Sequence, residues 1–194
     1  MSMTGRQALK WAFDELHEAG LLEETARREA RELLCLYWGR TGLNFILNLD
    51  EQLDEAVEQS FLAGVAQRKQ GAPLQYLTGA QDFMGTEFKV RPGVLIPRQD
   101  TEVVVEACLQ RLSANETLWV ADLGTGSGII LAALALQLPM LRGIGVDLNP
   151  LAVVLAQDNI SSLGLADRLE IREGSWFEPL QDCAPFDLLV SNPP

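Results

Sequence analysis

The stretch "TLWVADLGTGSGIILAALALQLPMLRGIGVDLNP", residues 117–150, constrains the fold more than any other part of the chain. A short apolar run ends in three alternating glycines, a helical stretch follows, and a second apolar run ends on an acid. "TLWVADLG" reads as a strand, "SGIILAALALQL" as a helix, "RGIGVDL" as a strand and "PLAVVLAQDNISSLG" as a helix. "LEIREG" and "FDLLVSN" read as two further strands. Short apolar strands alternating with helices build βαβ units, so the fold class is α/β with a doubly wound parallel sheet.

The residues before this region follow a different pattern. Leu9, Phe13 and Leu16 sit at helical spacing, and Gly20 marks a stop. Ala26, Ala30, Leu33, Leu34 and Tyr37 predict a second helix ended by Gly39, "GLNFILN" a short third, and Leu53, Val57, Phe61 and Val65 a long fourth that closes at "RKQGAP". Residues 1–70 are thus expected to form a small helical bundle. From Gly71 aromatic and β-branched residues take over, and Met84-Gly85-Thr86 is placed for a tight turn, so 71–99 reads as a β-hairpin connector. Asp100 or Thr101 is expected to cap a helix, "TEVVVEACLQRL", and 100–194 forms the third segment.

Composition narrows the function. The formal charge of −12 argues against general affinity for nucleic acid, whose phosphates require a Lys/Arg surface. No apolar run approaches the roughly 20 residues needed to span a bilayer, and the first residues lack the order of a signal peptide. A cytoplasmic location is expected. Cys35, Cys108 and Cys183 are widely spaced beside apolar residues, and His17 is the only histidine. That pattern points to reduced packing thiols, not to a metal site or a histidine-based nucleophile.

"VADLGTGSG" leaves a strand and enters a helix. Gly124, Gly126 and Gly128, with Thr125 and Ser127 between them, let the backbone turn sharply and a ligand approach without meeting a Cβ. The dinucleotide fingerprint GxGxxG fails because position 129 is Ile129. The pattern present is GxGxG preceded by Asp122, which resembles the first motif of S-adenosylmethionine-dependent methyltransferases. Asp147 ends the next strand about 20 residues on, where an acid accepts hydrogen bonds from ribose hydroxyls. An acid at a strand end also serves as a helix cap, and Asn149-Pro150 fits that alternative. Trp176 follows the third strand, at the carboxyl edge where open α/β sheets bind ligands; its other reading is a core aromatic.

The last strand delivers Asn192 to the same edge, beside the glycine loop. A planar amide or aromatic amine is a poor nucleophile because its lone pair is delocalised. It has to be held at attack distance with its hydrogens turned away. The Asn192 side-chain oxygen and the Pro193 carbonyl provide two acceptors, and proline's fixed φ aims that carbonyl.

"NPP" of this kind is found in methyltransferases that act on planar NH2 groups, adenine-N6 and glutamine-N5 enzymes included. "PLQYLTGAQDFMGTEFKVRPGVLIPRQDTE" is similar to the connector of the peptide chain release factor glutamine-N5 methyltransferases. The resemblance extends over helical bundle, connector, "DLGTGSG", "GVD", "WFEPL" and "VSNPP". It implies a Rossmann-like methyltransferase sheet, S-adenosyl-L-methionine as cofactor, and a glutamine in the Gly-Gly-Gln loop of class 1 release factors as target. By position, Gly124, Thr125, Gly126, Ser127, Gly128, Asp147, Trp176 and Asn192 would contact the cofactor. Asn192, Pro193 and Pro194 would hold the glutamine, with Asn192 and Pro193 the catalytic pair; no metal is implied.

Residues 1–70 are expected to serve recognition of the protein substrate, and charge and hydropathy lead to the expectation of no direct nucleic-acid or membrane partner. A ribosomal-protein glutamine methyltransferase and an adenine-N6 enzyme remain alternatives. Gln99 stands where the family has a proline after "IPR". Such sheets carry more strands than the four counted here. The sequence therefore reads as a product truncated after its fourth strand, and inactive alone.

Overall fold

In the computed structural model, which describes residues 2–113 and 115–193, the chain divides into two units, Met1–Thr78 and Gly79–Pro194. The first is helical: α1 (Gly5–Glu18), α2 (Glu23–Trp38), α3 (Gly42–Leu47), α4 (Glu55–Lys69) and α5 (Leu74–Thr78). Thr4 starts α1 with a capping box. Its hydroxyl accepts from the Gln7 N–H at 3.3 Å, and its own N–H donates to Gln7 Oε1 at 2.9 Å. Gly39 ends α2 in the left-handed region, φ +68°, where its N–H donates to the Cys35 carbonyl at 3.0 Å.

The buried stripe of α1 is Ala8, Ala12 and Leu16, while Leu9 and Phe13 are only partly buried. Small residues win because the neighbouring helices approach closely. The same economy of space recurs at Gly64 on α4, where a Cβ would stand 2.5 Å from the Tyr37 ring of α2. Arg68 on α4 donates to Glu29 on α2 at 2.6 Å, and Glu29 is buried. Arg28 also stands 3.7 Å from Glu29, so the buried carboxylate is flanked by two guanidinium groups.

The second unit begins with a hairpin, β1 (Ala80–Phe83) and β2 (Thr86–Lys89), joined by Met84 and Gly85 at φ +51° and +75°. Two consecutive positive φ values make the turn whose twist matches paired strands. Within the expected connector, residues 74–78 are helical and belong to the first unit. Helix α6 spans Asp100–Leu109. Neither Asp100 nor Thr101 caps it, contrary to expectation. Gln99 holds the capping position without a side-chain bond, and the Thr101 hydroxyl is engaged elsewhere.

The sheet contains β3 (Leu118–Leu123), β4 (Leu141–Asp147), β5 (Leu169–Glu173) and β6 (Leu188–Ser191) in the order β5-β4-β3-β6, all parallel. The expected doubly wound α/β arrangement is the one observed. Helix α7 (Ile129–Gln137) follows β3, and α8 (Pro150–Ser162) follows β4. Every residue of α7 from Ile129 to Ala135 is buried. Its all-round apolarity follows from that position. Val120 and Leu131 belong to the core on one face of the sheet, and Ala121, Leu123, Ile144 and Val146 to that on the other. Burial on both faces explains why the central strands β3 and β4 read as nearly continuous apolar runs. No helix among the described residues is long and apolar enough to cross a membrane.

Candidate functional site

Parallel register aligns the strand ends. Leu123 lies opposite both Val146 and Ser191, and Asp147 opposite Glu173. Gly124, Asp147, Gly174 and Asn192 therefore leave the sheet along one carboxyl edge, which is where open α/β sheets bind ligands.

The glycine loop is held from below and open above. Gly124 and Thr125 both donate their N–H to the Val146 carbonyl, at 2.8 and 2.9 Å. Gly124, Gly126 and Gly128 have φ of +72°, +58° and +77°, conformations that a side chain would strain. A Cβ at Gly124 or Gly126 would meet no heavy atom within 4 Å, whereas at Gly128 it would lie 3.1 Å from the Ala156 Cβ. The first two glycines thus leave a free face for a ligand, and the third lets α8 pack close.

Thr125 turns inward. Its hydroxyl donates to Asp122 Oδ2 at 2.6 Å, and both residues are buried. The other oxygen, Asp122 Oδ1, is buried and has no hydrogen-bond partner among the described residues. Burial pushes the Asp122 carboxyl up to about 6; the Thr125 bond opposes this, and the nearby charge of Asp147 adds to it. Gly145 of β4 makes the space, since a Cβ there would stand 2.9 Å from Thr125 Oγ1 and 2.7 Å from Ile171 Cδ1. The sequence reading singled out Asp122 only as the acid before the loop, and it missed Gly145.

Asp147 accepts from the Gly126 N–H at 2.8 Å on Oδ2 and from the Asn149 N–H at 2.9 Å on Oδ1. The helix-cap alternative falls away, because Asn149 takes that role. Its side-chain oxygen accepts from the Leu151 N–H at 3.0 Å, with Pro150 at the first helical position. Each Asp147 oxygen keeps a second lone pair for ligand hydroxyls. Trp176 lies in the loop after β5, and the Gly174 N–H ties that loop to the Asp147 carbonyl at 3.0 Å. Trp176 is 57% exposed at φ +47°, so it is not a core aromatic. A non-glycine residue in that region is the kind of strain that gathers at functional sites.

Ser191 donates its hydroxyl to the Leu123 carbonyl at 2.6 Å, which pins the end of β6 to the start of the glycine loop. Asn192 and Pro193 follow, both exposed. Asn192 Nδ2 donates to Thr101 Oγ1 at 3.1 Å, a contact the sequence reading missed. Pro194 lies outside the described residues.

A second missed residue is Asn159, buried on α8. Its Oδ1 accepts from the Lys89 N–H at 2.8 Å, and its Nδ2 donates to the carbonyls of Lys89 at 3.1 Å and Ser127 at 2.9 Å. One amide thus joins the hairpin to the glycine loop. Arg91 pairs with Asp158, and Asn149 Nδ2 donates to the Gly93 carbonyl at 2.9 Å, so the segment after β2 is fastened along α8.

Residues 7–79 match the PrmC N-terminal domain and residues 86–194 the methyltransferase small domain. Among curated proteins, the release factor glutamine methyltransferase of Moorella thermoacetica is 46% identical over 192 residues, covering 99% of this chain and 67% of that protein. That of Geobacter sulfurreducens is 44% identical over 191 residues, covering 98% and 65%. The chain spans about two thirds of the length of these relatives. Among solved structures, an RNA methyltransferase from Salinibacter ruber in complex with S-adenosyl-L-homocysteine is similar over 50% of this chain and 60% of that chain, at 30% identity and a TM-score of 0.42.

Proposed function

Since the chain belongs to the release factor glutamine methyltransferase family, we propose that it serves methyl transfer from S-adenosyl-L-methionine to a glutamine side-chain amide nitrogen. The target is N5 of the glutamine in the Gly-Gly-Gln loop of class 1 peptide chain release factors. The observation that carries this reading is the shared edge. Asn192 and Pro193 leave β6 beside the strand that ends in the glycine loop, with Asp147 on the next strand.

The cofactor, when bound, supplies a methyl group on a positively charged sulfur that departs with the bonding electron pair. Gly124 and Gly126 offer it uncovered backbone, Asp147 accepts from its ribose hydroxyls, and exposed Trp176 presents an aromatic face. Asn192 Oδ1 and the Pro193 carbonyl accept the amide hydrogens of the glutamine. They fix the nitrogen, whose lone pair is then directed at the methyl group. Such positioning is the main service an enzyme can render a weak nucleophile, and a misplacement of about 1 Å can cost ~100-fold. The methylated nitrogen is acidic and loses its extra proton to water, so no histidine base is required. The acidic net charge of −12 favours a protein target over nucleic acid.

The test is methyl transfer from labelled cofactor by the intact protein. Substrates are a class 1 release factor, its Gln→Ala loop variant, ribosomal protein and DNA. Label in the unmodified release factor alone is expected. Label in the loop variant, in ribosomal protein or in DNA would assign the activity elsewhere.

A further inference from the structure

We propose that Thr101 is a positioning residue for Asn192, holding its side-chain amide with the oxygen turned toward the substrate. This rests on the reading that Asn192 secures the target nitrogen.

Asn192 is exposed on a loop, and a free asparagine amide there can rotate to present either end. The two ends have opposite chemistry. The oxygen accepts a hydrogen bond from a substrate NH2, whereas the nitrogen would set donor against donor. In the structure Thr101 holds the amide in the first of these arrangements, its hydroxyl acting as acceptor. Thr101 is buried in the first turn of α6, 6% exposed, and its hydroxyl oxygen receives Asn192 Nδ2 at 3.1 Å. With the nitrogen end taken, Oδ1 is the end left for a ligand.

The residue before Asn192 and the first turn of α6 are also secured. Ser191 anchors the residue before Asn192 to the Leu123 carbonyl at 2.6 Å. The first turn of α6 is joined to the hairpin turn, where the Met84 N–H donates to Glu102 Oε1 at 3.4 Å. Asn192 is thus held through its neighbour Ser191, bonded to β3, and through its own amide, bonded to α6. The two partners are 91 positions apart, so the stretch "RQDTE" reaches the site through the fold and not through proximity in the chain.

Four variants of the intact protein test this: Thr101→Val, Thr101→Ser, Asn192→Ala, and the double variant Thr101→Val with Asn192→Ala. Each is assayed for kcat and KM on release factor, cofactor affinity by titration, and melting temperature. Thr101→Val keeps the shape but loses the acceptor. It is expected to lower kcat about tenfold or more, on the scale of a misplaced reacting group, with melting temperature unchanged and cofactor affinity reduced less than kcat. Thr101→Ser restores the hydroxyl and should restore most of the rate. The double variant should be no slower than Asn192→Ala alone, because Thr101 acts only through Asn192.

Wild-type kcat in a folded Thr101→Val would overturn the proposal, as would rate losses that multiply in the double variant. Melting temperature falling in step with kcat would make Thr101 merely structural. If Asn192→Ala itself keeps full turnover, the assignment of Asn192 fails, and the role of Thr101 fails with it. If Asn192→Ala is slow and Thr101→Val is not, only the present inference fails.

Discussion

Replacing Asp122 by asparagine removes one buried charge while keeping size and shape. In the folded chain burial raises this carboxyl from the ordinary 3.8 to about 6. The native state therefore holds the proton more tightly than the unfolded state does. Stability from this group is fully present below about pH 4 and is lost as pH rises toward 6, after which it stays constant. At about 1.4 kcal/mol per pH unit, the window is worth about 3 kcal/mol. Asparagine does not titrate, so Asp122→Asn lacks this term at every pH. Urea unfolding of both proteins, at several pH values from about 4 to about 7, gives the difference in unfolding free energy. Titrating groups common to both chains largely cancel in that difference. The variant should gain about 3 kcal/mol on the parent across the window, whatever its offset at low pH. A difference that stays flat, or that changes in the opposite sense, would refute the claim that Asp122 is raised by burial.

Three further outcomes are expected. Asp147→Ala should weaken S-adenosyl-L-methionine by ~1–3 kcal/mol in a calorimetric titration, and unchanged affinity in a folded protein would remove Asp147 from the ribose site. Asn192→Asp keeps an acceptor but adds a charge and loses the donor that meets Thr101. It should keep some cofactor binding while losing most glutamine methylation, as read by mass spectrometry of the release factor. Gly145→Ala should cost about 1–3 kcal/mol in thermal or urea unfolding, because its Cβ presses on Ile171 and displaces Thr125.

The α/β architecture was legible because the two central strands are short apolar runs, one ending in a glycine loop and the other on an acid, and strands buried on both faces cannot hide that pattern. Met84-Gly85 was readable as a turn for the same local reason. Asp147 and the glycine loop announce themselves by spacing. What stayed hidden depends on long-range approach. Thr101 reads as an ordinary first-turn residue until β6 brings Asn192 to it. Asn159 reads as a polar position on a helix, and nothing nearby in sequence shows that Lys89 and Ser127 converge on it. Gly145 looks like a weak point in a strand, whereas its lack of a side chain gives Thr125 its place. On α1, spacing favoured the large residues Leu9 and Phe13, but close helix contact buries Ala8 and Ala12, each one position before them. Periodicity ranks positions by apolarity and carries no information about how near the next helix comes.

The amide of Asn159 has a consequence for the order in which the protein loosens. It holds the Lys89 backbone as a neighbouring strand would, yet the acceptor of the Lys89 N–H is a side chain 70 residues away. That proton is shielded from solvent exchange only while the hairpin stays on α8, and the same side chain also donates to the Ser127 carbonyl. Lifting the hairpin therefore loosens the side chain that steadies the glycine loop, and the two openings are coupled. A two-stranded hairpin would ordinarily fray on its own. Here the Lys89 amide should exchange with deuterium as slowly as its fellows in the central strands, and a ligand gripping the loop should slow it further.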